Sequence, residues 1–314
     1  MIIGHETIRA YFENAAKNGI LHHAYCFVGP SGVGKRTMAR LIGSALLTTP
    51  EDALNTHPDF IYVERSVDEK TGKLHKDVNV EQARSLRERL GSRAWLGGYR
   101  VVIVDEAELL NAEASNALLK TLEEPGEKNI IFLLTENEER LLPTIHSRVQ
   151  TFYFSLLSDA AVATFVEGLG QPAARVATIV AIANGRPGVA HKLAVEEGAY
   201  DSWLSETGRW GDLVGQPFYK KIARTNDLFS DKEDGVRGRE RVVVALEIWA
   251  RMWREMLLGA CGEPTPLVKQ LGLPVVSRLP YEIVPILDRL REARELLVKN
   301  VQPRLVVEQA IFDF

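Results

Sequence analysis

Up to residue 154 the chain alternates short apolar runs with stretches of helical period. The runs at 24–28, 60–63, 100–104, 130–134 and 150–154 are about five residues long and nearly continuous in Val, Ile, Leu, Phe and Tyr. That is the pattern of strands buried on both faces of a parallel sheet, with helices in the crossovers. Between the runs, Asn79 and Gln82 have the spacing of a capping box ahead of Ala83, Leu86 and Leu90 on one helical face. Asn111 precedes a second such face, Ala114, Ala117, Leu118 and Leu122, which Pro125 closes. The polar stretches 66–76 and 230–240 read as exposed loops.

Beyond residue 156 the strand signal fades. Ala161 and Phe165, then Val176, Ile179, Val180 and Ala183, suit two or three short helices ending near Gly185. Farther on, Ala245, Ile248, Trp249, Met252, Trp253 and Met256 form one amphipathic stripe, and Ile283, Ile286, Leu287, Leu290 and Leu297 another. Two such stripes predict a helical bundle whose apolar faces are internal core.

Composition narrows the function classes. The 314 residues are 46% hydrophobic and 25% charged, an ordinary globular balance, with a formal net charge of −4 that offers no general cationic sheath for a nucleic acid. The two cysteines, Cys26 and Cys261, are far apart and provide neither a disulfide framework nor a thiolate metal cluster. No run approaches the roughly 18 apolar residues that cross a bilayer, and the opening twelve residues mix charge with apolar positions, so a cytoplasmic protein without a membrane partner is expected.

The first run leads into Gly29-Pro30-Ser31-Gly32-Val33-Gly34-Lys35-Arg36-Thr37 and then into a helix with Met38, Leu41, Ile42 and Ala45 on one side. Strand, glycine loop and helix in this order make a phosphate loop: the glycines let backbone N–H groups converge on an anion, the helix N-terminus adds its positive end, and Lys35 adds a mobile charge. The pattern calls for Ser or Thr after the lysine, whose hydroxyl ligates Mg²⁺; here that residue is Arg36. A guanidinium has only donors and a fixed positive charge, so metal binding is impaired there. Thr37 lies about 100 degrees farther around the helix and does not replace it. Whether ATP, ADP or only a simple anion occupies the loop is left open.

The run at 100–104 ends in Asp105 and Glu106. An aspartate at such a strand end can hold Mg²⁺, and the next carboxylate can polarise an attacking water; a solvated acidic pair is an equally fair reading of these two residues alone.

After them come NALLKTLEEPGE at 116–127, IIFLLTEN at 130–137 and LLPTIHSRVQ at 141–150. With these motifs the sequence resembles the AAA+ subunits of the bacterial sliding-clamp loader. The resemblance implies an α/β fold: a P-loop core with a parallel sheet (1–155), a small helical lid (156–202) and an all-α collar (203–314). It implies that Arg148, in the pair Ser147-Arg148, is an arginine finger reaching a neighbouring subunit's ATP site, with Val149 in place of the usual cysteine. It also implies that Thr135 is the polar sensor at the end of the fourth strand.

Three departures separate the branches of that family. Arg36 removes the metal-ligating hydroxyl, Gly188 stands where motor subunits carry a lid arginine, and the segment from Leu46 to His57 lacks the cysteines of a zinc module, so no zinc is expected. With the finger kept and the home site compromised, the chain resembles the delta-prime branch. The implied role is a stator, catalytic only in trans, with gamma/tau-like motor subunits, a delta subunit, the sliding clamp and primed DNA as partners. Two other readings stay open: an active gamma/tau-like ATPase, and a homo-oligomeric helicase-like AAA+ protein that binds DNA.

Overall fold

The computed structural model describes residues 2–65, 94–96, 98–126, 128–229, 235–263, 265–273, 278–299 and 301–314. The capping box at Asn79, its helix, and the loop at 66–76 lie outside the described residues. The described residues up to Gly168, joined by Ala183–Ala190, form one compact unit; Leu169–Ile182 and His191–Phe314 form a second.

The first unit is an α/β layer structure. Its strands are β1 (Ala24–Val28), β2 (Phe60–Val63), β3 (Arg100–Val104), β4 (Asn129–Thr135) and β5 (Gln150–Tyr153), all parallel, in the order β2-β3-β4-β1-β5. Alternate residues of each strand face opposite sides. Tyr25, Phe27, Phe60, Val101, Ile103 and Phe132 pack on one side with Ile8 and Phe12 of α1 (Glu6–Asn18) and Met38 and Ile42 of α2 (Lys35–Leu47). Cys26, Val28, Ile61, Val102, Val104 and Leu133 pack on the other with Leu118 and Leu122 of α3 (Ala112–Glu123) and with Ile145 of α4 (Pro143–His146). Each large side chain so buried contributes about 1.5–3 kcal/mol. Asn111 caps α3, its side-chain oxygen accepting from the Ala114 N–H at 2.8 Å.

Two expectations need correction here. Strand β5 is not buried on both faces: it is the outer strand next to β1, and Tyr153 is 64% exposed. On α2 the buried face is Met38, Ala39, Ile42 and Gly43, with Ala45 exposed. Gly43 sets that rotation, because a Cβ there would stand 3.2 Å from Val101 Cγ1; the helix rests its bare backbone on β3.

Helix α5 (Asp159–Gly168) follows, buried through Val162 and Val166 while Ala161 and Phe165 are only half-buried, one position away from the expected face. Helix α6 (Ala173–Ala183) buries Val176, Ile179, Val180 and Ala183 and ends before Gly185 in the left-handed conformation, as expected. Helix α7 spans Pro187–Val195.

The second unit continues with α8 (Ala199–Leu213), α9 (Phe218–Thr225), α10 (Gly235–Ala260), α11 (Pro266–Leu271), α12 (Pro280–Val298) and α13 (Pro303–Ala310). Both predicted stripes are core: Trp249, Met252 and Trp253 are fully buried, and Trp210 and Phe314 meet Trp253 edge-to-face at 5.5 Å. Helix α10 begins inside the stretch read as a loop, so 235–240 is helical. Arg239 anchors that end by donating to the Leu297 carbonyl of α12. No helix among the described residues is long and apolar enough to cross a membrane.

Candidate nucleotide site and the exposed arginine

Because β1, β3 and β4 are parallel neighbours, their C-terminal ends share one edge of the sheet, where α/β folds place their ligands. That edge gathers Gly29–Thr37 after β1, Asp105 and Glu106 after β3, and Thr135 at the end of β4. The Gly29 N–H donates to the Thr135 carbonyl at 3.2 Å, fastening the loop to β4.

Gly29, Gly32 and Gly34 have φ of 155°, 81° and 107°, which turn the loop back toward the start of α2. No side chain caps α2, so its first N–H groups are left for an anion, as a phosphate loop requires. The loop is braced from outside. His5 Nε2 lies 3.1 Å from the Val33 carbonyl, and the His5 ring packs on Phe154 at 4.5 Å. Lys35 is nearly buried and turns back on the loop, donating to the carbonyls of Gly29 and of Pro30 (3.0 Å). Burial pushes its ammonium below the ordinary lysine range, against the pull of Glu136, Asp105 and Glu108.

Both strand-end carboxylates have cationic partners. Asp105 Oδ2 accepts from Arg36 Nε at 2.8 Å, lies 2.5 Å from Arg36 Nη2, and accepts from the Tyr62 hydroxyl at 2.6 Å. Asp105 Oδ1 accepts from the Glu106 N–H at 3.0 Å. The Arg36 guanidinium also stands over the Tyr62 ring at 5.4 Å. Burial, then the bond to Asp105, push the Tyr62 phenol well above its usual range, so it stays a donor. Glu106, in the left-handed conformation at φ 48°, is clamped bidentately by Arg65, whose Nε and Nη2 donate to its two oxygens at 2.6 and 2.8 Å.

A divalent cation does not fit this arrangement. The ligand position of the loop is a guanidinium, and that guanidinium covers the aspartate oxygen that would meet the metal. Among the described residues, no cluster of three metal-ligating side chains occurs. Thr135 is buried, and its hydroxyl is held in a turn, donating to the Asn137 carbonyl and accepting from the Asn137 N–H, both at 3.1 Å.

Gly188 meets the loop by its backbone. Its N–H donates to the Gly32 carbonyl at 2.8 Å, and a Cβ there would stand 3.0 Å from that oxygen and 3.1 Å from Gly32 Cα. Glycine at this position is what allows the backbone to approach Gly32 so closely.

Arg148 follows α4. Nη1 donates to the Thr144 carbonyl (2.9 Å) and to Ser147 Oγ (3.2 Å), and Nη2 pairs with Glu123 of α3 at 2.9 Å. Its side chain is 35% exposed. Val149 packs half-buried against the sheet. Sequence reasoning brought out Arg148, Lys35, Arg36, Asp105, Glu106 and Thr135; it missed Tyr62 and Arg65. The one available signal was position, since Arg65 stands two residues beyond the C-terminal end of β2.

A family model described as DNA polymerase III, delta subunit, matches residues 4–158. The DNA polymerase III subunit delta' of Pseudomonas aeruginosa is 33% identical over 187 residues, 54% of this chain and 55% of that protein. Over about half of its length the chain is similar to DNA polymerase III subunits. A second clamp-loader relative, the gamma/tau subunit of Mycobacterium tuberculosis, is 34% identical over 166 residues, 50% of this chain and 28% of that protein. The chain thus spans about half the length of the first relative and less of the second. In fold, it resembles a gamma subunit-related protein of Thermotoga maritima with a TM-score of 0.52 at 17% identity, covering 96% of this chain and 97% of that one. That likeness is one of fold.

Proposed function

We propose that this chain is a stator subunit of the delta-prime kind. It presents Arg148 to the ATP site of a neighbouring gamma/tau-like motor subunit and hydrolyses little or no ATP itself. The observation that carries this reading is the pairing of both home carboxylates, Asp105 with Arg36 and Glu106 with Arg65, while Arg148 is held near the surface by weak partners. A water-polarising glutamate clamped by a guanidinium is a poor base, whereas an always-charged planar fork at a surface suits stabilisation of a transferring phosphoryl group in trans.

In this reading residues 156–202 serve as the lid over the core and 203–314 as the collar. The partners are the motor subunits and a delta subunit, with the sliding clamp and primed DNA engaged through the assembled loader in the cytoplasm. The phosphate loop keeps the means to hold the phosphates of ATP or ADP, and Lys35 would swing from its own loop carbonyls to them.

The test is Arg148→Ala in a reconstituted loader. Assembly should persist while ATP turnover by the motor neighbours falls by about 10³ to 10⁵. Unchanged turnover would remove the finger role. Brisk turnover by the isolated chain, abolished in Glu106→Gln, would instead favour an active motor. Salt-sensitive DNA binding by the isolated chain would favour the helicase-like reading.

A further inference from the structure

The two carboxylates that an AAA+ site turns toward Mg²⁺ and water are here each matched with one guanidinium from this same chain. The two pairs are built differently. Arg36 comes from the first turn of α2, is 58% exposed, and reaches an Asp105 that is only 13% exposed. Arg65 comes from the segment after β2, is 18% exposed, and takes Glu106 in a parallel two-bond fork. Tyr62, from β2 itself, completes the shell by donating to the same Asp105 oxygen as Arg36. The edge of the sheet therefore carries its own cations, one guanidinium for each acid. A second cation brought to Asp105 would have to displace both Arg36 and Tyr62, and would meet the charge of Arg36 beside it.

We propose that Arg36 and Arg65 stand in for the divalent cation, so that the phosphate loop takes a nucleotide's phosphates without a metal. The charge balance supports this. A phosphate chain stripped of Mg²⁺ needs compensating cations, and Lys35 and Arg36 follow one another at the start of α2, where the helix end is itself positive. Arg36, more than half exposed, can share its five donors between Asp105 and a phosphate oxygen, as a point-charge ammonium could not. The inference rests on reading Gly29–Thr37 as a phosphate loop. It is independent of Arg148.

The test uses Mn²⁺ as a spectroscopic probe of the full chain, with ADP binding measured separately by calorimetry in EDTA and in Mg²⁺. The wild-type chain should bind ADP equally well in both conditions and leave the free-Mn²⁺ electron paramagnetic resonance signal at the level of a protein-free mixture of the same composition, with and without ADP. The double variant Arg36→Thr/Arg65→Ala should lower the free-Mn²⁺ signal below that of the protein-free Mn²⁺–ADP mixture, and its ADP binding should become Mg²⁺-dependent. Arg36→Thr alone, at an exposed position, should give a partial loss and guards against a folding defect in the pair.

Mn²⁺ bound by the wild-type chain with ADP would overturn the proposal. So would a double variant that binds ADP and keeps native circular dichroism, yet takes up no Mn²⁺. Failure of every protein to bind ADP would sink the phosphate-loop reading itself, and the inference with it.

Discussion

The most demanding stability prediction concerns Asp59, just ahead of β2. Its carboxylate is 1% exposed and accepts from the N–H groups of Trp95 (2.9 Å) and Leu96 (3.1 Å) and from Arg100 Nη2 (3.2 Å), while Arg100 itself is 2% exposed. Asp59→Ala leaves a guanidinium in the interior without this carboxylate. Removing one partner of a buried ion pair costs about 3–5 kcal/mol. The two freed N–H groups add little, because Trp95 and Leu96 lie at the surface and water can reach them. Most of the loss is therefore the buried charge deprived of this carboxylate. Asp59→Ala/Arg100→Met, which removes that charge too, should recover at least about 2 kcal/mol of it. Urea unfolding gives the totals, and hydrogen exchange of peptides spanning β2 and β3 localises them. A single variant costing less than about 1 kcal/mol, or a double variant no more stable than the single, would refute the account.

Acid provides an independent check on the same residue. Burial alone would raise the Asp59 pKa, but the Trp95 and Leu96 N–H groups and Arg100 outweigh it and hold the carboxyl below the ordinary range. A depressed folded-state pKa means the stabilisation is fully present above the unfolded value of about 3.9 and is lost as pH falls through the folded one. Asp59→Asn should flatten that acid limb of the stability profile.

Other outcomes follow from single contacts. Arg148→Ala should change the stability of the isolated chain by no more than about 1 kcal/mol, since its pair with Glu123 is exposed; a larger loss in urea unfolding would show that Arg148 is structural. Gly29→Ala should cost about 3 kcal/mol, because the new Cβ would fall 2.3 Å from the Phe154 carbonyl oxygen at a φ of 155°; thermal unfolding within a degree of wild type would refute the contact. A thiol reagent should modify Cys261 alone in the native chain and both cysteines after unfolding. Cys26 is fully buried, and burial, with help from Glu138 and Glu108, pushes its thiol up to about 12.

Local pattern determined a good part of this protein. The apolar runs marked β1 to β4 within a residue at each end, since a strand buried on both faces has little sequence freedom, and the Asn111 cap and Pro125 bracketed α3 by their own backbone chemistry. The glycine spacing marked the turn between β1 and α2 because backbone at φ of 81° and 107° favours glycine.

What remained depended on neighbours distant in sequence. That β5 is an outer strand follows from strand order, which no local pattern carries. The face of α2 was rotated by the approach of Gly43 to Val101, and the start of α10 was moved back into a polar stretch by Arg239 reaching α12. Above all, the pairing of Arg36 with Asp105, 69 residues apart, and of Arg65 with Glu106, 41 apart, exists only because parallel strands deliver their C-terminal ends to one edge. A sequence specifies which charges are present; the fold decides which of them meet, because Coulomb attraction and hydrogen bonding act over ångströms of space rather than along the chain.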